Sequence, residues 1–227
     1  MLLHVQTGGF TLNYQQWPRG YRLFIWFALV FGLIAAWVTL GNVSSFDNPV
    51  IHAVQSMESP TLTALAKMLS LVGSSRLAIG ISVLTIILLY FLLKHRMELL
   101  LFIWVGLGSQ LLNSLMKQWF HRERPNIHRI IQEVGYSFPS GHSMAAFSLY
   151  GVIAYLLWRH LPRRRERAIL VILAVLMTGG IGWSRIYLGV HYPSDVIGGY
   201  AASGAWLMLS IGWFESYRSR RKRITAA

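Results

Sequence analysis

The sequence predicts an all-α integral membrane protein, a bundle of six transmembrane helices with both termini in the cytoplasm. Three observations carry that prediction. Hydrophobic residues make up 54% of the 227 residues and charged ones only 13%, whereas a soluble domain carries about a quarter charged residues. Long uncharged apolar runs recur along the chain. The basic residues are unevenly divided among the segments that join those runs. The length fits one domain, residues 1–227. No cysteine is present, which excludes disulfides and thiolate chemistry.

Taken in order, Met1–Gly20 reads as an interfacial lead-in, with Tyr14 and Trp17 suited to the headgroup level. The first span is Leu23–Leu40. It is retained rather than cleaved, since Gly41–Ser45 offers no clear small-residue cleavage site. Asn42–Ser75 is the longest connection. Within it Pro49–Met57 forms a short surface helix and Pro60–Ser70 leads toward the second span, the whole roofing the bundle. The remaining spans are Leu77–Leu93, Leu99–Met116, Met144–Trp158 (extended back to Ser140), Ala168–Ser184 and Val196–Phe214. A helix rises about 1.5 Å per residue and a bilayer core is about 30 Å thick, so each run with its flanks fits one crossing. A soluble fold would give such helices polar outer faces. The small residues Gly179, Gly180 and Gly182, and Gly198, Gly199, Ala202 and Ser203, allow close helix packing.

Six crossings place both termini on one side. That side holds Arg19, Arg22, Lys94, Arg96, Arg159, Arg163, Arg164, Arg165, Arg167 and the tail Arg218–Arg223, fourteen basic residues against seven opposite. The positive-inside rule makes it cytoplasmic. The net charge of +13 is compatible with nucleic acid, anionic lipid or an anionic substrate. The apolar excess favours the membrane readings over nucleic acid.

One loop breaks the rule. Lys117, Arg122, Arg124 and Arg129 lie between the third and fourth spans, and Arg185 follows the fifth. Cations placed against the topological bias imply an anionic ligand on the outer face. Gln110, Asn113 and Lys117 form one helical stripe that points inward, although such a stripe also serves as interhelical packing glue. Next comes Tyr136-Ser137-Phe138-Pro139-Ser140-Gly141-His142-Ser143, where Ser140 is a candidate N-cap for the fourth span. The free N–H groups of that helix start suit an oxyanion such as phosphate, and His142 stands beside them. In isolation the same tripeptide is only a helix start. The third segment runs from Ser184 and Arg185 to His191 and Asp195, with Pro193 in the first turn of the sixth helix. Asp195 can accept the Nδ1–H of His191 and leave Nε2 free to attack. A lone His-x3-Asp is often no more than a surface helix pair.

Together the segments read Lys117-x6-Arg124-Pro125, Pro139-Ser140-Gly141-His142 and Ser184-Arg185-x5-His191-x3-Asp195. This pattern resembles the three-part signature of the type 2 phosphatidic acid phosphatase (PAP2) superfamily, with no departure at a signature position. The resemblance implies phosphoryl transfer through a phosphohistidine with no metal and no other cofactor. It makes His191 the nucleophile, Asp195 its orienting partner and His142 the general acid. It assigns phosphate binding to Lys117, Arg124, Arg185, Ser140 and the backbone N–H of Gly141. The chemistry agrees: phosphoryl transfer spreads negative charge that fixed cations and a helix N-terminus stabilise, and no His/Asp/Glu cluster has metal-ligand spacing.

The implied partners are a membrane lipid phosphate and the bilayer itself, with no nucleic acid. The oligomeric state is not legible. The implied setting is a bacterial plasma membrane with the site facing outward. Candidate substrates are undecaprenyl pyrophosphate, phosphatidylglycerol phosphate and phosphatidic acid. Six apolar runs argue against the superfamily's soluble haloperoxidases and acid phosphatases. The short outer loops argue against a soluble sugar phosphate as in glucose-6-phosphatase. An anion transporter or channel would not require the histidine pair with Asp195, and a non-catalytic binder would not need every catalytic position filled.

Overall fold

The computed structural model describes residues 18–92 and 96–226, all helix and connecting loop. The lead-in with Tyr14 and Trp17, and Leu93, Lys94 and His95, lie outside the described residues. In order, the helices are α1 (Arg19–Thr39), α2 (Ser44–Gln55), α3 (Pro60–Val72), α4 (Ser75–Ile87, widening into a π-helical turn over Leu88–Leu92), α5 (Arg96–Phe120), α6 (Gly141–Trp158), α7 (Arg164–Tyr187) and α8 (Pro193–Ala226).

Four of these are long and apolar enough to cross a bilayer: Arg19–Thr39, Arg96–Phe120, Arg164–Tyr187 and Pro193–Arg221. A fifth crossing exists if α3 and α4, bent by 50° at their junction, act as one broken span. The chain is therefore an all-α multi-pass membrane protein. The run expected as a fourth crossing is α6, 18 residues with a polar first turn of Gly141, His142 and Ser143; it is not among the helices that meet the length and composition requirement.

Apolar residues on outward faces fit this setting. Trp26, Leu33, Leu107, Leu111, Val175 and Leu176 are exposed, as lipid-facing residues would be and as a water-soluble surface rarely permits. The buried interior is built from α5, α6 and α8 around Val105, Leu149, Val152, Leu207 and Ile211. Small residues set the helix spacing. Gly20 of α1 lies against the Gly212 backbone of α8, and Gly204 of α8 meets the ring of Phe27. Gly182 accommodates Tyr200, and Gly198 accommodates Phe138. Gly179 instead faces open space, so its expected packing role is not observed.

The long connection is more helical than its sequence implied. Helix α2 begins at Ser44, ahead of the expected Pro49, and carries that proline inside. Pro49 sits at the sixth position of the helix, where its missing N–H costs one helical hydrogen bond. Helix α3 begins with Pro60 at its first position and with Ser59 as N-cap, whose Oγ accepts from Leu62 N at 3.3 Å. Both helices pack on α7, and α2 also touches α8.

Candidate active site

Four helix ends meet at one end of the bundle: the C-termini of α5 and α7 and the N-termini of α6 and α8. Helix α6 starts where expected, with Ser140 as N-cap. Its Oγ accepts from Ser143 N at 3.4 Å and from Ser143 Oγ at 3.0 Å. Ser140 N in turn donates to Asp195 O at 3.0 Å, which ties the start of α6 to the start of α8. Ser140 is fully buried, with its hydroxyl engaged in this cap. A Cβ on Gly141 would lie 3.1 Å from Asn113 Oδ1, so glycine lets α5 approach. Asn113 itself donates to Pro139 O at 3.1 Å. It therefore ties helices together as well as facing the centre, whereas Gln110 is exposed.

His191 occupies the turn between α7 and α8. Gly189 creates that turn with φ +74°. This backbone conformation is costly for a side-chain-bearing residue, and an added Cβ would also collide with the carbonyl of His128. The imidazole is 1% exposed. Its Nδ1 lies 3.3 Å from Asp195 Oδ2 and its Nε2 lies 3.1 Å from Arg124 Nη1. An arginine only donates, so Nε2 must be the unprotonated nitrogen and Nδ1–H the donor to Asp195. Burial, reinforced by Arg124, Arg185 and Lys117, holds the imidazole well below its ordinary pKa, so the ring is neutral.

The predicted cations gather around this ring. Arg124 is fixed by the carbonyls of Val190 (2.9 Å), Gly135 (2.9 Å) and Val134 (3.1 Å). Burial, opposed in part by Glu133, pulls its pKa below the usual arginine range. Arg185 is buried; Nη1 donates to Ser70 Oγ and Nη2 to Glu133 Oε1, while its buried Nε has no hydrogen-bond partner among the described residues. Lys117 is close enough for its charge to act on His191. His142 faces α3, near Gly73, where an added Cβ would lie 3.3 Å from its ring. The structure thus brings all eight residues singled out in the sequence to one end of the bundle.

Three more side chains belong to this centre, of which Glu133 and Asp47 have no role in the sequence pattern. Glu133 bridges Arg185 and Arg124, the latter at 3.7 Å. Burial would raise its carboxyl; Arg185 by charge and hydrogen bond, helped by His142 and Arg124, outweighs that and holds it below the usual carboxylate range. Arg122, partly exposed, and the buried Asp47 form an ion pair at 2.7 Å next to Asp195. Arg122 had been noticed only as one of several misplaced cations. Asp47 lies in a polar segment, between Ser45 and Pro49, with no motif around it.

An apolar cavity of about 570 Å³ leads away from the centre between α4, α5 and α6. Ile79, Val83, Phe102 and Leu149 line its body, and Asn113 and Gly141 lie at the polar end. Among the described residues no three His, Cys, Asp or Glu side chains converge as metal ligands.

The fold and the grouped residues define a multi-pass membrane protein with an anion-suited polar centre at one end of its helices. The chain belongs to the PAP2 superfamily of phosphatases, whose sequence pattern matches residues 98–219. It is 32% identical over 196 residues to phosphatidylglycerophosphatase B of Bacillus subtilis (strain 168), covering 86% of this chain and 96% of that one. The crystal structure of a transmembrane PAP2-type phosphatidylglycerolphosphate phosphatase from Bacillus subtilis superposes with a TM-score of 0.77 at 32% identity. That match covers 87% of this chain and 96% of the other. A lipid A 1-phosphatase of Rhizobium johnstonii is 29% identical over 133 residues, covering 51% of this chain and 50% of its own.

Proposed function

We propose that this protein hydrolyses a phosphate group from a membrane lipid, without a metal, through a phosphohistidine on His191 at the outer face of a bacterial plasma membrane. The observation that carries the reading is the state of His191: neutral, with Nδ1–H on Asp195 and Nε2 lone pair turned to Arg124. In this reading Nε2 forms the P–N bond as the P–O bond to the lipid breaks. His142 gives its proton to the departing oxygen, then takes one from the water that cleaves the phosphohistidine. Lys117, Arg124, Arg185 and the start of α6 at Ser140 and Gly141 neutralise the equatorial oxygens.

The apolar cavity supports a lipid rather than a soluble substrate, because a chain lying between α4, α5 and α6 would place its headgroup beside Asn113 and Gly141. The likeness to phosphatidylglycerophosphatase B puts phosphatidylglycerol phosphate first among the substrates, with phosphatidic acid and undecaprenyl pyrophosphate as the other candidates. The same reading has six crossings in a single domain over residues 1–227, with both termini cytoplasmic.

The test is phosphate release by the detergent-purified protein in EDTA from a panel of these three lipids. His191→Ala should lower turnover by at least about 1,000-fold and His142→Ala by about 100-fold or more. Full activity in the His191 variant, or loss of wild-type activity in EDTA, would refute the proposed chemistry.

A further inference from the structure

Asp195 is held from both sides. Its Oδ2 faces His191 Nδ1 and accepts from Tyr192 N at 2.9 Å. Its Oδ1 accepts from Arg122 Nη1 at 2.6 Å. The same Nη1 donates to Ser194 Oγ at 2.8 Å, and Nη2 donates to Asp47 Oδ2 at 2.7 Å. Asp47 then closes the ring from α2. Its Oδ1 accepts from Ser194 N at 2.9 Å and its Oδ2 from Ser194 Oγ at 2.7 Å. The guanidinium lies over the Tyr192 ring, 4.1 Å from its centroid. Both carboxylates are 0% exposed.

Two fully buried carboxylates this close are stable only with a shared counter-ion and filled hydrogen bonds. Arg122 supplies both, because a planar guanidinium can donate in two directions at once. A lysine has the charge but not the fork. Arg122 is itself anchored through its backbone carbonyl, which accepts from Ser137 N at 2.8 Å and Ser137 Oγ at 3.2 Å. The network thus joins α2, the α5–α6 loop and the start of α8.

We propose that Arg122 and Asp47 are positioning residues for phosphoryl transfer. They act through Asp195 to fix the rotation and the tautomer of His191, and they make α2 part of the frame that aims the nucleophile. The inference rests on the roles of His191 and Asp195 given above. Losing the guanidinium removes the charged donor that holds Asp195 Oδ1, and the carboxylate turns or tilts away from Nδ1. Lipid binding, which depends on the other cations and the apolar cavity, is left intact.

The test uses the full chain in detergent with 32P-labelled dioctanoyl phosphatidate as the probe, following steady-state turnover and, by alkaline quench that preserves the acid-labile P–N bond, phosphohistidine formation. Arg122→Ala should lower kcat by about 100-fold with KM changed by less than about 3-fold, and the slowed step should be phosphoenzyme formation. Added guanidinium ion should restore part of that loss in Arg122→Ala but none in Arg122→Lys. Asp47→Asn should cost about 10-fold, and the double variant should be no slower than Arg122→Ala alone, as expected for groups acting as one unit. Arg122→Lys and Asp47→Asn keep the size of the side chain and carry the test if the alanine variant does not fold. A kcat within about 2-fold of wild type, or a rise in KM at unchanged kcat, would overturn the proposal. His191→Ala in the same series separates the two levels. Turnover persisting there removes the phosphohistidine reading, whereas turnover persisting only in the Arg122 variants removes this inference alone.

Discussion

His191 shows how one side chain is specified by its surroundings. Its neutrality has a consequence for stability. An unfolded histidine takes a proton near pH 6.5, but the buried ring does not until well below that. Between those values the unfolded chain binds more protons, so stability is full above about pH 6.5 and falls as the pH drops below it. Thermal midpoints in detergent should therefore decline from pH 7.5 to about 5, and the decline should be shallower in His191→Asn, which has no proton to take up. Equal slopes in the two proteins would show that the ring is not held neutral. Glu133 makes a second point at this scale. Its carboxylate sits between Arg185 and Arg124, where it competes with any incoming anion. Glu133→Gln should tighten inhibition by inorganic phosphate by about tenfold, the equivalent of about 1.4 kcal/mol. Weaker inhibition would mean that Glu133 chiefly holds Arg185 in place. Neither Glu133 nor Asp47 could be assigned from the sequence, because an acidic residue in a basic loop or a short, largely polar helix has no spacing that names its partner. The three signature segments were legible because each combines charge with helix-stopping residues at the end of an apolar run.

At the scale of elements, what could be read was where helices begin, and what could not was which surfaces they share. Ser140 and Pro193 marked the starts of α6 and α8 through capping and the first-turn preference of proline. The onset of α2 at Ser44 was missed because Pro49 reads as a helix start and here lies within one. The placement of α2 against Ser194 and Arg122 depends on contacts between residues 147 positions apart, such as Ser194 N to Asp47 Oδ1, which no local pattern records. The turn that carries His191 belongs to the same class. It is locked by Ile130 N on Leu188 O at 3.1 Å and by Gln55 Nε2 on the Tyr187 carbonyl at 3.3 Å, both reaching in from other elements. Gly189→Ala should therefore lower stability by about 1–3 kcal/mol and cut turnover with it, through positive-φ strain and the clash with His128. Thermal midpoint and lipid phosphatase rate measured on the same preparation would check this. An unaffected variant would show that the turn can re-form without glycine.

The helix directions make a claim about the whole molecule. Helices α5 and α7 end at the polar centre, while α6 and α8 begin there, so consecutive long helices run in opposite senses. The proposed six-crossing arrangement uses that alternation and has α6 cross too, although its polar first turn keeps it from being apolar enough on its own. The polar turn is the part that must stay wet, because it carries Gly141 and His142. In the proposed orientation charge sets the direction of the bundle: Arg159 and Arg163 in the loop joining α6 to α7, and Arg164 and Arg165 at the start of α7, would lie in the cytoplasm by the positive-inside rule. The absence of cysteine makes this directly testable, since a single introduced thiol is the only one present. Asn126 and Pro162 are both exposed, one in the loop before α6 and one in the loop after it. In intact cells Asn126→Cys should react with a membrane-impermeant maleimide, and Pro162→Cys should react only after the membrane is opened. Labelling of both from outside would show that α6 does not cross, and the reverse pattern would put the centre on the cytoplasmic face. The expected pattern would leave the cations of the α5–α6 loop on the outer face, where a phosphorylated headgroup can reach them while its chains stay among α4, α5 and α6.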